Sequence, residues 1–589
     1  MINPAFNYKN FTQAMVKLNC LTLICFFAFL FSGFSQGTQK FQKICEQWDT
    51  FYKANPGLMD SAESEYSGYE RWKYFWQDRT CLTDSLNHSS FGSINEALES
   101  YLNNYGYFHR STNQYSNWKF VGPQGIDRSR QIVGLISAIY VDTVTDKTMN
   151  TIFIGTNSAG IWKTVDGGDN WINITDNSGY SIIGINDICG DPLNGNIIYA
   201  ATGGNFMDRS HGYGIGILKT TDHGVTWSRI YPDSIWQNQS KSLNINKIII
   251  DPSNNQRVYA LADTSVIRSL DGGQSWQNIF ATNACRFDTI HEHTNFLYLR
   301  DIEMKPDDPS ILYVSTDHRT IYNNRQAEVW KISNVFETNI NKVLSQRLDV
   351  QLPKFEFVSD TIHSIYTERY AIAVTPAEPN AIYIGCTVFP YNSTYVPRQF
   401  TIFKYENNQW DRKLKAPIDE QTEYGGCGFF KLELLVSPSN PNILYVGGNT
   451  FDKINNWHNE IHIDYDSEDK GYHPDTRYAL IIKNDLQPDT TGNHDILFAG
   501  NDGGISKSTN GIHTWQNLNG NGLNITQFYG IGGTNKSINW IGGGTQDNGF
   551  FILTPQGWRK TFGGDMGDCV IDPSNPIMYP NLRAVTWCV

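Results

Sequence analysis

The residues best placed to do chemistry fall near the C-terminal end of the chain. His473-Pro474-Asp475-Thr476-Arg477 sets an imidazole, a carboxylate and a guanidinium two residues apart. In an extended strand residues two apart share a face, so these three are expected to project together while Tyr478 and Leu480 take the other side. Such a face can meet a polar ligand or form a buried ion-pair network, and residue type alone leaves both open. Gly500-Asn501-Asp502-Gly503-Gly504 offers a further carboxylate at a glycine-flanked strand end; Gln546-Asp547-Asn548, Gly564-Asp565 with Asp568, and Asp317-His318-Arg319 do the same. Two carboxyl groups facing each other across a cleft can cleave an acetal, one giving a proton while the other activates a nucleophile. The candidate catalytic set is therefore Asp502 with Asp475 or Asp547. The candidate ligand-binding set is His473, Asp475, Arg477, Gln546, Asp547 and Asp565. His458, His462, Asp464 and Asp466 alternate N and O donors in a manner that suits calcium or zinc, but they read as a solvated loop, and neither metal nor cofactor is expected. There is no glycine-rich phosphate loop, nucleophile elbow or Cys/His dyad.

The elements that would position these groups repeat. Thr164-Val-Asp166-Gly-Gly168-Asp-Asn-Trp171 has the form [ST]-x-D-x-G-x-x-W, and it recurs at Thr220–Trp227 (Asp222, Trp227) and Ser269–Trp276 (Asp271, Trp276). A worn copy runs Ser508-Thr-Asn510-Gly-Ile-His-Thr-Trp515, with Asn for Asp and Ile for the second Gly. A carboxylate at a hairpin corner accepts from loop N–H groups that the ladder leaves unpaired, glycine supplies the positive φ of the turn, and Trp lies over it. Asp166, Asp222, Asp271 and Asn510, each with its Trp, are thus structural. Between boxes stands a second element, a strand, an Asp-Pro or Pro-x-x-Pro turn and an apolar strand, as at Asp191-Pro192 before Ile198-Tyr199 and Asp251-Pro252 before Val258-Tyr259. Strand, strand and box hairpin make four strands in roughly 50–65 residues, the size of one propeller blade. The fold class expected is all-β, a multi-bladed β-propeller. About eight blades start near Ile136, Ile183, Ile248, Ile302, Ile372, Leu434, Ala479 and Phe528, and a ninth at Val570. That number implies either one large ring or two, the second incomplete, and a chain that is part of a longer one.

The boxes resemble the Asp-box, or BNR, repeats of sialidases, xyloglucan hydrolases and sortilin/VPS10 propellers, and the span from Trp118 to Val589 is similar to secreted bacterial propellers of that kind. "GTNSAGIWKTVDGGDNW", "GNDGGISKST" and "GGTQDNG" carry the likeness. The resemblance implies several possible activities, since hydrolase, lectin-like and receptor propellers share the box. The sialidase Arg-Ile-Pro motif is absent; only Pro397-Arg398 comes near, in the reverse order. For a xyloglucan hydrolase the resemblance implies two aspartates with a water between them, the first at Gly155-Thr156-Asn157-Ser158-Ala159-Gly160, where this chain has Asn157. The expected function is accordingly binding of a glycan or a secreted protein at the central opening, with a xyloglucanase-like glycoside hydrolase as the alternative.

Composition narrows the partners. The chain has 589 residues, 46 basic against 59 acidic side chains and a net charge of −13, which argues against nucleic acid or an anionic membrane as partner. Lys9 and Lys17 precede the apolar run Leu21–Phe34, too short for a membrane span, so residues 1–36 read as a signal peptide and the mature protein as secreted or displayed at the cell surface, without a transmembrane segment. Residues 37–115 read as a helical segment, from the spacing of Phe41, Ile44, Trp48 and Phe51, of Tyr69, Trp72 and Trp76, and from a capping box at Ser93–Glu96; residues 116–589 are the propeller. Cysteines 45, 81, 189, 285, 386, 427, 569 and 588 lack metal-site spacing and leave disulfides and single buried thiols both open.

Overall fold

A computed structural model describes residues 41–54, 73, 121–123 and 133–582, the last without 177, 179, 181–182, 205–213, 233–243, 263, 283–285, 288–293, 296, 319–326, 352–364, 391–398, 418–431, 449, 456–461, 465–471, 486–490, 535–536, 565, 568 and 572–579. The expected signal peptide, Tyr69, Trp72, Trp76 and the Ser93–Glu96 capping box lie outside the described residues. The chain divides into two compact units, 1–101 and 102–589. In the first, helix α1 (Phe41–Ala54) ends just before Asn55-Pro56-Gly57, where the preference of the residue before proline stops a helix. Its Trp48 stacks on Tyr52 with ring centroids 5.7 Å apart. Among the described residues no helix is long and apolar enough to cross a membrane.

Among the described residues the second unit holds eight antiparallel four-stranded sheets, each with its strands in sequence order; the fourth and fifth are joined by a bridge at Asp317 and Arg369. The inner, first strands are Ile136–Val141, Ile185–Gly190, Ile245–Ile250, Leu297–Met304, Ile365–Ala373, Glu433–Val436, Thr476–Ile482 and Phe528–Thr534. Second strands such as Ile152–Thr156 (IFIGT), Ile198–Thr202 (IYAAT) and Ile443–Gly447 (ILYVG) are buried at every position. They read as unbroken apolar and small-residue runs because a blade lies against each of their faces.

Whether the sheets make one ring or two is decided by what the first blade packs against. Inner strands contact their successors from the first sheet to the seventh, and the strand at 136–141 also packs on Thr476–Ile482 and Ile496–Asn501 of the seventh. One core joins Val133, Ile136 and Trp171 to Phe498, Leu518 and Ile525. The seam is closed by backbone bonds from Val133 N to Gly503 O (3.0 Å), Trp171 N to Asn521 O (2.8 Å) and Asn521 N to Asp169 O (2.8 Å), and the Trp171 indole donates to Leu518 O at 2.9 Å. Gly134 belongs to this seam: its φ is +143°, and a Cβ there would sit 2.2 Å from Ile525 O. Seven blades therefore close a ring, and the eighth sheet stands outside it with a two-stranded sheet (Cys569–Ile571 and Pro580–Leu582) against it.

At each repeated [ST]-x-D-x-G-x-x-W segment an acidic side chain accepts from the turn. Asp222 accepts from the Thr220 hydroxyl (2.7 Å), Thr226 N (2.8 Å) and the Thr226 hydroxyl (2.6 Å), and Asp166 and Asp271 repeat the pattern. Trp171, Trp227 and Trp515 are buried and Trp276 is half-buried. The worn copy keeps the turn under strain: Asn510 still accepts from Thr514 N, and Ile512 holds a φ of +67° where the other boxes have glycine. Cys189 and Cys569 are thiols, and burial pushes the Cys189 thiol up to about 12.

Candidate functional site

Most inner strands begin with a register shift. It falls between Ile136 and Ala138, Ile185 and Asp187, Leu299 and Asp301, Thr476 and Tyr478, and Phe528 and Gly530, and the third strand slips between Ile245 and Ile248. A bulge frees a side chain from the ladder and re-aims it. In the ring the displaced residues Ser137, Asn186, Asn246, Arg300 and Arg477 all line an axial cavity of about 380 Å³. Three of them staple the next blade: Ser137 Oγ to Ile185 O (2.5 Å), Asn186 Nδ2 to Ile245 O (2.9 Å) and Asn246 Nδ2 to Leu299 O (2.7 Å). The two arginines instead turn back to the end of their own second strand. Arg300 Nε donates to Asp317 Oδ2 at 2.5 Å, and Arg477 grips Asp502 with two bonds, Nε to Oδ1 at 2.5 Å and Nη2 to Oδ2 at 2.7 Å.

This corrects one expectation. Tyr478 does not take the side away from the channel, because the bulge removes Arg477 from the alternation. Tyr478 also lines the cavity, and its hydroxyl donates to Asp187 Oδ1 of the second blade at 2.9 Å, past the first blade. Around it lies a network with no sequence motif to announce it. Lys247 Nζ bonds Asp301 Oδ1 and Glu303 Oε1, each at 2.7 Å; Asp187 Oδ2 accepts from Ile248 N and Asp301 Oδ2 from Ile372 N, both at 2.9 Å. Burial raises the Asp187 and Glu303 carboxyls, with nearby Lys247 opposing the shift in both. Burial alone would lower the Lys247 ammonium, yet Asp301, Glu303 and Asp187 outweigh it and hold Lys247 well above its usual value. The only trace of this network in the sequence is polar residues at the start of otherwise apolar strands: Asn186-Asp187, Asn246-Lys247 and Arg300-Asp301.

At the edge of the ring three of the candidate carboxylates come together. Asp475 precedes the inner strand of the seventh blade, Asp502 follows the second strand (Ile496–Asn501) of that blade, and Asp547 sits in the turn between strands Ser537–Thr545 and Gly549–Thr554 of the eighth sheet. One carboxylate oxygen from each lies within 4.8 Å of the others. Asp475 and Asp547 take left-handed backbone, φ +70° and +54°, which orients them without a regular ladder. Asn548 fixes the two sheets to each other, its Nδ2 donating to Asp502 O and Gln546 O, both at 2.9 Å. Gln546 N in turn bonds Gln527 O at 3.1 Å. His473 joins the cluster through packing: its ring lies 2.5 Å from where a Gly503 Cβ would be, so only glycine fits beside Asp502.

The three carboxylates are not equivalent. The Asp502 side chain is 1% exposed and Arg477 takes both of its oxygens, so it is an anchored counter-charge. Asp475 and Asp547 are half-buried, on the solvent side. The trio has the donor atoms for a hard cation, but the guanidinium already neutralises one member. Asp565, Asp568, Arg319, His458 and Asp466 lie outside the described residues. Only the backbone of His318, His462 and Asp464 is described, in strands Ile311–His318 and His462–Asp464. Asn157 is buried at the strand end that corresponds to Asp317 and Asp502, so no carboxylate stands there.

No family model matches the chain. A stretch of 147 residues is 27% identical to a xyloglucanase of Hypocrea jecorina (23% of this chain, 17% of that protein). Another comparison, 28% over 134 residues, is to xyloglucanase Xgh74A of Acetivibrio thermocellus (22% of this chain, 16% of that one). The matched stretches thus span about a sixth of each curated relative. Among solved structures, an ancestral GH74 enzyme aligns over 77% of this chain and 58% of its own, at 15% identity and a TM-score of 0.46. The GH74 xyloglucanase of Xanthomonas campestris aligns over 75% and 76%, at 12% and 0.36. The propeller itself rests on the sheet order given above.

Proposed function

We propose that the chain is a secreted, carbohydrate-active propeller that takes a xyloglucan-type polysaccharide at the junction between the ring and the eighth sheet and hydrolyses it. The observation that carries this reading is the meeting of Asp475, Asp502 and Asp547 from two sheets at one edge of the ring. Local similarity to two xyloglucanases supports the substrate class. Box corners like those of Asp-box propellers support the wider kinship, and the apolar run Leu21–Phe34 supports export.

In this mechanism Asp475 and Asp547 are the working pair. One donates a proton to the glycosidic oxygen as the bond breaks; the other, as carboxylate, attacks the anomeric carbon. Water then releases the sugar, its proton passing to the first residue; retention of anomeric configuration is the product outcome expected of this direct attack. Asp502, held by Arg477, keeps the junction in shape. The test is reducing-end release from xyloglucan and β-glucans by wild type, Asp475→Ala and Asp547→Ala. Each variant is expected to lose at least a thousandfold in kcat, and azide is expected to restore turnover to the variant that lacks the nucleophile. Release that persists in both variants would refute the assignment.

One observation favours a second reading, binding without turnover: Asn157 stands where the xyloglucan-hydrolase likeness implies an aspartate. On that reading wild type retains xyloglucan saturably, releases no reducing ends, and loses retention in Asp475→Asn.

A further inference from the structure

The eighth sheet exposes an aromatic ring beside the acidic junction. Tyr529 is 59% exposed and Ile531 65%, although both lie on the strand Phe528–Thr534. Both are exposed apolar side chains of this strand. Tyr529 is also the residue displaced by the bulge between Phe528 and Gly530, the register position held in the ring by Ser137, Asn186, Arg300 and Arg477. In the ring that position faces the axis. Its distance from the acids follows from the ladder. Phe528 pairs with Thr545, Gln527 O accepts from Gln546 N, and the next residue is Asp547, within 4.8 Å of Asp475 and Asp502.

We propose that Tyr529 is a sugar-stacking platform, a specificity-determining residue that receives a pyranose ring next to the one at the carboxylates. This rests on the glycan reading above and deepens it. An equatorially substituted, β-linked pyranose has C–H groups on its flat faces and hydroxyls at its rim. An aromatic face takes the former, and the carboxylates and amides of Asp475, Asp547 and Gln546 take the latter. A stacking platform takes flat β-linked backbones in preference to α-linked, helical ones, whose rings present no extended flat face.

The experiment measures retention and turnover of xyloglucan and of cellohexaose, with amylose as the α-linked control, for wild type, Tyr529→Ala, Tyr529→Phe and Tyr529→Trp. Because the side chain is exposed, all variants should melt with wild type. Tyr529→Ala is expected to weaken retention, or raise KM, roughly tenfold with kcat unchanged, the scale of one lost aromatic contact. Phe and Trp are expected to stay within about twofold, since stacking needs the ring and not the hydroxyl. Wild-type retention of xyloglucan that Tyr529→Ala leaves intact, or that Tyr529→Phe abolishes equally, overturns the platform and leaves the glycan reading standing. A wild type that neither retains nor cleaves any of the three overturns both.

Discussion

Arg477 and Asp502 give the sharpest energetic test, because the pair joins the axial cavity to the acidic junction. Their side chains are 6% and 1% exposed, and two bonds of 2.5 and 2.7 Å hold them side by side. An exposed pair would be worth about 0–1 kcal/mol. Here Arg477→Met leaves a carboxylate buried without its counter-charge, and the expected loss is about 3–5 kcal/mol. Asp502→Leu leaves the guanidinium in the same position and belongs to the same range. The double variant removes both charges, and replacing a buried pair by apolar groups is often close to neutral. It should therefore recover at least half of the summed single losses, a coupling of about 3–5 kcal/mol or more. Equilibrium urea denaturation of the four proteins, followed by tryptophan fluorescence with the midpoints and slopes compared, measures the cycle. Single losses below about 1 kcal/mol, or a double variant as unstable as the sum of the singles, would refute the claim that the pair is desolvated and mutually neutralising.

Two further outcomes follow from the same physics. Trp171→Phe loses the indole bond to Leu518 O, which keeps its bond from Gly520 N, so one hydrogen bond is lost at the closing seam and the cost should be about 0.5–1.5 kcal/mol by the same denaturation assay. Asp222 has its pKa lowered to about 2: burial would raise it, but the Thr226 hydroxyl and amide and the Thr220 hydroxyl outweigh that. A depressed carboxyl stabilises the fold above its unfolded value near 4, and the contribution drains away as pH falls from about 4 to about 2. Melting curves between pH 2 and 5 should accordingly be less steep in pH for Asp222→Asn than for wild type, and parallel curves would refute the assignment.

What the sequence determined by itself is local. The box [ST]-x-D-x-G-x-x-W specifies its corner because the polar groups it needs lie close in sequence: Thr220, Asp222, Gly224 and Thr226 bond one another, while Trp227 covers the turn by packing into the core. The same holds for the Asp-Pro turn at Asp251, whose carboxylate accepts from Ser253 N, and the regular return of both elements makes blades legible. Ring size was not legible, because closure depends on Val133, Trp171 and Leu518, residues up to 385 positions apart that no spacing relates. Nor was the direction of Tyr478: period-two alternation sends it away from the channel, and a one-residue bulge, invisible in residue types, brings it in. Asp475, Asp502 and Asp547 stand out as polar residues near glycines, but their meeting, and the burial of one under Arg477 while the other two stay open to solvent, comes from the docking of the eighth sheet on the seventh through Asn548. Tertiary structure decides such matters because burial and long-range neighbours, not residue identity, set which carboxylate is anchored and which reaches solvent.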